Sequence, residues 1–216
     1  HYSHGGAIGM NAENGSCATL STLSTYKYGT PQVDKRYAIN FFSDTLRVDG
    51  KVVYLSNGEP LVYRPLEVAL SLTGSKYEKT AGARMAKYEI DRTAHDDGRL
   101  QDNDIVLFRY ADVLLMKAEA QLRSGHDGSI AMNLVRNRAG MASLPATLSN
   151  LLDERLLEFM WEGWRRNDLI RFGLFHKAYD VRRPIEGENT RFTCLFPIPK
   201  GVLERNKNLK QNPGYK

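Results

Sequence analysis

The chain has 216 residues, 42% of them hydrophobic and 25% charged, with 30 basic against 25 acidic side chains and a formal charge of +5. That is one domain's worth of chain with enough apolar residues for a real core, which excludes a disordered tail. The longest apolar runs, Ile105 to Phe108 and Val113 to Met116, are far shorter than the roughly 20 residues with which a helix crosses a bilayer. Cys17 and Cys194 allow at most one disulfide, which excludes a disulfide-stapled scaffold and a four-thiolate zinc site. The basic excess is concentrated at the end of the chain, where Lys200, Arg205, Lys207, Lys210 and Lys216 stand against Glu204 alone. No basic stripe interleaved with aromatic residues remains, which argues against nucleic-acid binding. The chain opens on His1 rather than Met, and the expectation is a processed or truncated product.

Residues 1–36 are rich in Gly, Ser, Thr and Asn, with one short helix predicted by Leu20, Leu23 and Tyr26. Tyr37 to Val48 and Lys51 to Leu55 are β-branched and aromatic runs joined by Asp49-Gly50, a dipeptide that accepts positive φ. Together they predict a two-stranded hairpin. Residues 56–104 are punctuated by Gly and Pro and predict irregular structure with a strand at Lys87 to Asp91.

From Ile105 to Arg123 the period becomes helical, with Leu107, Ala111, Leu114, Leu115, Ala118 and Leu122 on one face and Gly125 placed as a left-handed cap. Ala131, Leu134 and Val135 mark a second helix that stops at Gly140, so the two form an antiparallel hairpin about the size of one tetratricopeptide-type repeat. One such hairpin cannot bury both of its faces, so partner helices are expected from outside it. A third helix is predicted from Asn150 as cap, with Asp153 and Glu154 in its first turn. It runs to Gly163 and resumes through Leu169 and Ile170 to Gly173. The Pro-punctuated tail from Phe196 to Tyr215 reads as extended chain without an element.

Glu154, Glu158 and Glu162 recur at i, i+4 spacing on one helix ridge. Two such carboxylates, one attacking and one protonating, could cleave a glycoside. The nearby Arg155, Arg165, Arg166 and Arg171 favour a structural ion-pair network instead. His1 with His4, and His95 with Asp96, Asp97, Asp102 and Asp104, hold metal-ligating atoms, but neither set has the spacing of a known cage. Gly5-Gly6-Ala7-Ile8-Gly9 lacks the preceding strand and closing Lys-Ser/Thr of a phosphate loop, and no nucleophile motif is present. No cofactor is implied. The chain has 11 tyrosines, and Tyr54, Tyr63 and Tyr77 fall in the irregular stretch. Exposed loop rings stack on the C–H faces of sugars, so these three are the candidate ligand-binding residues. Trp161 and Trp164 read as core.

The segments Arg109-Tyr-Ala-Asp-Val-Leu-Leu-Met-Lys-Ala-Glu-Ala120, Asn133-Leu-Val-Arg-Asn-Arg-Ala-Gly140 and Glu154-Arg-Leu-Leu-Glu-Phe-Met-Trp-Glu-Gly-Trp-Arg165 resemble the C-terminal half of the SusD/RagB family. Asp168-Leu-Ile-Arg171, Pro197-Ile-Pro199 and Gln211-Asn-Pro-Gly-Tyr215 extend the resemblance, and Asp34-Lys-Arg36 matches more loosely. The resemblance implies a mainly α fold of tetratricopeptide-like hairpins packed with a loop-rich region carrying a small β-hairpin, as an incomplete part of a larger domain. It divides the chain into a loop-rich, ligand-facing region over 1–104 and a helical region with extended tail over 105–216. It further implies a non-catalytic, cell-surface outer-membrane lipoprotein that passes oligosaccharides, or in some members peptides, to a SusC-like TonB-dependent transporter. Arg109, Asp112, Glu119, Glu158, Glu162, Arg165 and Asp168 would then be fold-defining polar contacts. The family's lipid anchor would lie outside this sequence, because Cys17 follows Asn14-Gly-Ser16 without a lipobox.

Overall fold

A computed structural model describes residues 16–88, 91 and 102–215. The chain divides into two compact units, His1–Gly163 and Trp164–Lys216.

In the first unit, helix α1 spans Leu20–Thr25 where the apolar spacing places it, and Thr19 caps it by accepting a hydrogen bond from the Thr22 amide at 3.3 Å. The predicted long strand from Tyr37 is instead broken into pieces. Tyr37–Asn40 is a short helix, α2. Beyond it, β1 (Phe41–Phe42), β2 (Asp44–Thr45) and β3 (Arg47–Val48) each pair with a different partner: β1 with β6 (Arg84–Met85), β2 with β5 (Val62–Tyr63), and β3 with β4 (Lys51–Val52). All three ladders are antiparallel. Asp44, the first residue of β2, has φ +56° and breaks the extended backbone that follows β1. The Asp49-Gly50 turn forms as expected, with φ of +49° and +76°, but it closes a hairpin of only two residues a side. The strand expected at Lys87 to Asp91 is absent at Lys87, Tyr88 and Asp91, and residues 89–90 lie outside the described ones. The strand Arg84–Met85 ends just before them.

Helix α3 (Tyr110–Arg123) begins five residues later than the apolar spacing suggests, because Arg109 is extended at φ −148° and ψ 164°. Ile105, Leu107 and Phe108 are accordingly exposed. Gly125 takes its expected left-handed conformation, and α4 follows over Ser129–Arg138. Gly128 permits the close return: a Cβ there would lie 2.6 Å from the Ala118 carbonyl oxygen. Helix α5 covers Leu148–Phe159. It starts two residues before Asn150, with Thr147 as the cap accepting from the Asn150 amide at 3.1 Å. It ends before Gly163, because Met160 leaves the helix and Trp161 has φ +69°. Helices α3, α4 and α5 pack pairwise, burying Leu115, Ala118, Met132, Val135 and Leu151. Tyr110, Val113 and Met116 on α3 and Ile130 and Leu134 on α4 stay exposed.

A second core joins the loop-rich region to these helices. Ala18, Leu23, Tyr26, Tyr37, Phe41 and Ala83 pack with Leu157 of α5. The Tyr26 hydroxyl donates to the Leu157 carbonyl at 2.8 Å and accepts from Asn40 at 2.7 Å. Trp161 donates its indole N–H to the Asn40 carbonyl at 2.8 Å. Gly82, at φ +78°, lies against Cys17 so closely that a Cβ would come within 2.4 Å of the cysteine Cβ.

The second unit contains α6 (Arg165–Arg171) and two 3₁₀ turns, Glu188–Thr190 and Phe192–Cys194. Glu188 is fully buried, accepting from the Ile185 amide at 3.0 Å, from Thr193 at 2.6 Å and from Arg182. Burial opposes its charge, but these donors hold its carboxyl below the usual range. The tail departs from the expected extended chain: Lys200–Arg205 forms a helix, α7. On either side of it the chain is fastened to itself. Gln211 accepts from the Ile198 amide at 2.8 Å and donates to its carbonyl at 2.9 Å. Asn212 donates to the Phe196 carbonyl and the Tyr215 hydroxyl to the Leu195 carbonyl, both at 2.8 Å. Gly214, at φ +88°, leaves room for the Phe192 ring, which a Cβ would meet at 2.5 Å.

Gly82→Ala and Gly214→Ala should therefore each cost about 2 kcal/mol or more, combining an unfavourable φ with overlap against a packed neighbour. Gly58→Ala, at φ +82° with nothing within 4 Å of the added carbon, should cost only about 1 kcal/mol. Urea denaturation of the three variants measures the difference.

Candidate functional site

Two assemblies of polar and aromatic side chains stand out: a buried charge network on α5 and an open groove among the loops. In the network, Glu158 accepts hydrogen bonds from Arg36 at 3.1 Å, from Arg109 at 2.5 Å and from Arg138. Glu154, one helical turn earlier, accepts from Arg36 at 2.7 Å and Arg136 at 2.9 Å. Asp34 holds Arg36 from its other side through two bonds, at 2.9 and 2.8 Å. Glu162, beyond the end of the helix, accepts from Arg109 at 2.9 and 2.8 Å and from Lys87. The side chains of Glu154, Glu158 and Glu162 are each only 2% exposed.

The network is of the expected kind, but the cations that build it are far away in sequence. Arg36 precedes α2, Lys87 follows β6, Arg109 precedes α3, and Arg136 and Arg138 close α4. Of the arginines expected from proximity, Arg155 bonds Asp112 at 3.0 Å with both side chains 2% exposed. Arg171 bonds Asp168 at 2.9 Å, and Arg166 lies over the rings of Phe175 and Phe196 at 4.9 and 4.2 Å. Glu119 pairs with Arg123 at 2.8 Å. The guanidinium carbons of Arg109 and Arg155 lie over the Phe159 ring, 4.7 and 5.0 Å from its centre.

This geometry is unsuited to acid catalysis. Burial alone would raise the Glu158 carboxyl, but the hydrogen bonds and charge of Arg109, with Arg138 and Arg36, hold it below the usual carboxylate range. Asp34 is likewise held low by Arg36 against the effect of its burial. A carboxyl fixed in its charged form by guanidinium groups has no proton to give a leaving group at neutral pH. Glu162 has also left the ridge that the i, i+4 spacing implied.

The groove, about 650 Å³ in volume, is lined by Pro60, Arg64, Tyr77 and Thr80 among others. Of the three candidate tyrosines, Tyr77 lines it, half-buried, with the Arg64 guanidinium carbon 4.6 Å and the Lys76 ammonium 5.5 Å from its ring centre. Tyr54 is 61% exposed and pairs across a β-bridge with Pro60 at the groove. Tyr63 corrects the expectation of a surface ring. It is 1% exposed, because its strand position turns it into a small core with Leu46 and Leu61. Sequence reasoning did not single out Arg64 or Lys76, which lie in a stretch without periodicity or motif.

The remaining candidates fall largely outside the described residues. His1, His4, Gly5 to Gly9 and His95 to Asp97 lie outside the described residues. Asp102 and Asp104 are exposed, and no group of three His, Cys, Asp or Glu among the described residues is placed to hold a metal ion. Cys17 and Cys194 are free thiols, and burial pushes the Cys17 thiol up. Among the described residues no helix is long and apolar enough to cross a membrane.

Residues 34–215 match the SusD family, SusD/RagB, and the chain belongs to that family. The starch-binding protein SusD of Bacteroides thetaiotaomicron is 38% identical over 136 residues, covering 60% of this chain and 25% of that protein. The SusD-like protein P38 of Formosa agariphila is 35% identical over 133 residues, covering 54% and 25% respectively. Among solved structures, the surface glycan-binding protein A of Bacteroides uniformis superposes with a TM-score of 0.55 at 25% identity, over 88% of this chain and 40% of that one. A SusD homolog from Bacteroides thetaiotaomicron gives a TM-score of 0.62 at 20% identity, over 89% and 37%. The chain spans about a quarter of the length of these curated relatives. The mainly helical, tetratricopeptide-like fold is thus shared with these structures, of which the chain covers part.

Glu158→Gln should lower stability by about 3 kcal/mol, because it leaves guanidinium charge buried without its full counter-charge. Equilibrium unfolding in urea checks this. The depressed Glu158 carboxyl also sets a sign for pH. Its contribution is complete above its ordinary value of 4.5 and is lost as pH falls through the lower folded-state value. The melting temperature should therefore hold between pH 7 and 5 and fall below about 4, less steeply in Glu158→Gln.

Proposed function

We propose that this chain is part of a cell-surface glycan-binding protein that captures oligosaccharides and delivers them to a SusC-like TonB-dependent transporter in an outer membrane. The protein would be held there by a lipid anchor. The observation that carries the reading is the loop groove, where Tyr77 and Pro60 offer apolar faces beside hydroxyl and charged groups, with the exposed Tyr54 bridged to Pro60. A pyranose has the same two-sided chemistry, C–H groups on its faces and hydroxyls at its rim. The starch-binding name of one relative and the surface glycan-binding name of one structural neighbour support the same class of ligand. The protein acts by binding rather than catalysis, since Glu158 is buried and held charged. Tyr63, within the core, serves the ligand face by supporting it rather than touching the sugar.

A peptide ligand is the alternative within the same uptake system. Isothermal titration against a panel of oligosaccharides and short peptides separates the two. Saturable heats with an oligosaccharide are the expected result, and saturation by peptides alone overturns the glycan reading. A heat rate sustained in proportion to substrate would mean turnover and overturn the non-catalytic one. Tyr77→Ala and Tyr54→Ala should each weaken oligosaccharide binding by about fivefold or more, the loss of about 1 kcal/mol for one stacking ring. Tyr63→Ala should instead lower the unfolding midpoint.

A further inference from the structure

The groove that holds Tyr77 is unusual in its cations. Arg64 and Lys76 both lie over the Tyr77 ring, at 4.6 and 5.5 Å, and both side chains are exposed. Among the described residues no carboxylate is paired with either. The two carboxylates that share the groove lining are engaged elsewhere: Glu59 accepts from Asn57 at 3.1 Å, and Glu78 accepts from the Gly74 amide at 3.3 Å. The arginine is therefore fixed in place by the aromatic ring without being neutralised, and its N–H fork remains available to an oxyanion. Its backbone is anchored as well. The Arg64 amide donates to the Thr80 carbonyl at 2.9 Å, and its carbonyl accepts from the Gly82 amide at 2.8 Å.

We infer that this groove selects oligosaccharides bearing an anionic group, a carboxylate or a sulfate, which Arg64 and Lys76 receive while Tyr77 and Pro60 face the ring carbons. The inference rests on the glycan-binding reading above and narrows its substrate class. A planar carboxylate matches the two parallel N–H groups of a guanidinium, and a sulfate offers the same pair of oxygens. Lys76 adds charge without directional demand. Ser75 and Thr80 in the same lining supply hydroxyls for the sugar's neutral edge.

The test is titration of the 216-residue chain with three oligosaccharides matched in length: an oligogalacturonate, a sulfated galacto-oligosaccharide and a neutral galacto-oligosaccharide. One or both anionic sugars should bind about tenfold tighter than the neutral one, with an advantage that shrinks as salt is raised. Arg64→Gln and, separately, Lys76→Gln should bring the ratio of anionic to neutral affinity toward one. Preference for the uronate alone assigns a carboxylate, and preference for the sulfated sugar alone assigns a sulfate. Circular dichroism of the variants confirms that the fold is kept, and Lys76→Gln leaves the arginine stack intact if Arg64→Gln disturbs the loop. Equal affinity for neutral and anionic sugars, or a preference unmoved in both variants, overturns the inference and leaves glycan capture standing. Failure of all three sugars to bind while peptides do overturns both.

Discussion

A helix that buries two glutamates must be met by cations at the moment it packs, and this constraint organises the first unit. Glu154 and Glu158 lie on the inner side of α5, where an uncompensated carboxylate would cost several kcal/mol. Four guanidinium groups reach them from three other segments, and each can do so only if its own segment is correctly docked. Arg109 shows the consequence for local structure: its backbone is extended and its side chain bonds Glu158 and Glu162, so α3 starts at Tyr110 although the apolar residues continue upstream. Against an apolar replacement such pairs add little net stability. Their weight lies in the penalty for wrong packings, which would leave charge buried and unpaired. Arginine suits the task because one guanidinium can bridge several acids, as Arg36 does among Asp34, Glu154 and Glu158.

The tail of the second unit meets a different shortage, that of backbone partners. In Pro197-Ile-Pro199 only Ile198 carries an amide hydrogen. The side chain of Gln211 binds both polar groups of that one residue, much as a neighbouring strand would. Asn212 and Tyr215 take the carbonyls just before it, and Gly214 lets the chain pass the Phe192 ring. The residues that form a recognisable pattern near the end of the sequence are thus a side-chain clamp for a segment that cannot form a ladder.

Both devices draw their rigidity from groups other than the groove's side chains. The charge network, the aromatic core around Tyr26 and the clamp are built from buried or backbone-directed groups, whereas Tyr54, Arg64, Lys76 and Tyr77 stand on turns and short bridges. Loops can vary in chemistry without disturbing the packing that supports them. That division explains why the segments that resemble a family are those that build the packing, while the groove residues Arg64, Lys76 and Tyr77 carry no motif.

From the sequence by itself came the helical hairpin and its caps at Gly125 and Gly140, the short helix at Leu20, the tight turn at Asp49-Gly50 and the family resemblance. It also marked the glutamate ridge as structural rather than catalytic. These follow from local periodicity, turn chemistry and charge, which act over a few residues. Only the tertiary structure decided which cations serve the ridge, because Arg36 and Arg109 are distant in the chain and nothing in their neighbours records where they point. It likewise broke the expected long strand into three pairings, started α5 at Leu148, folded α7 into the tail, buried Tyr63 and set Arg64 over Tyr77. Each of these depends on a partner brought from elsewhere in the chain, and a single sequence read in order carries no term for that contact.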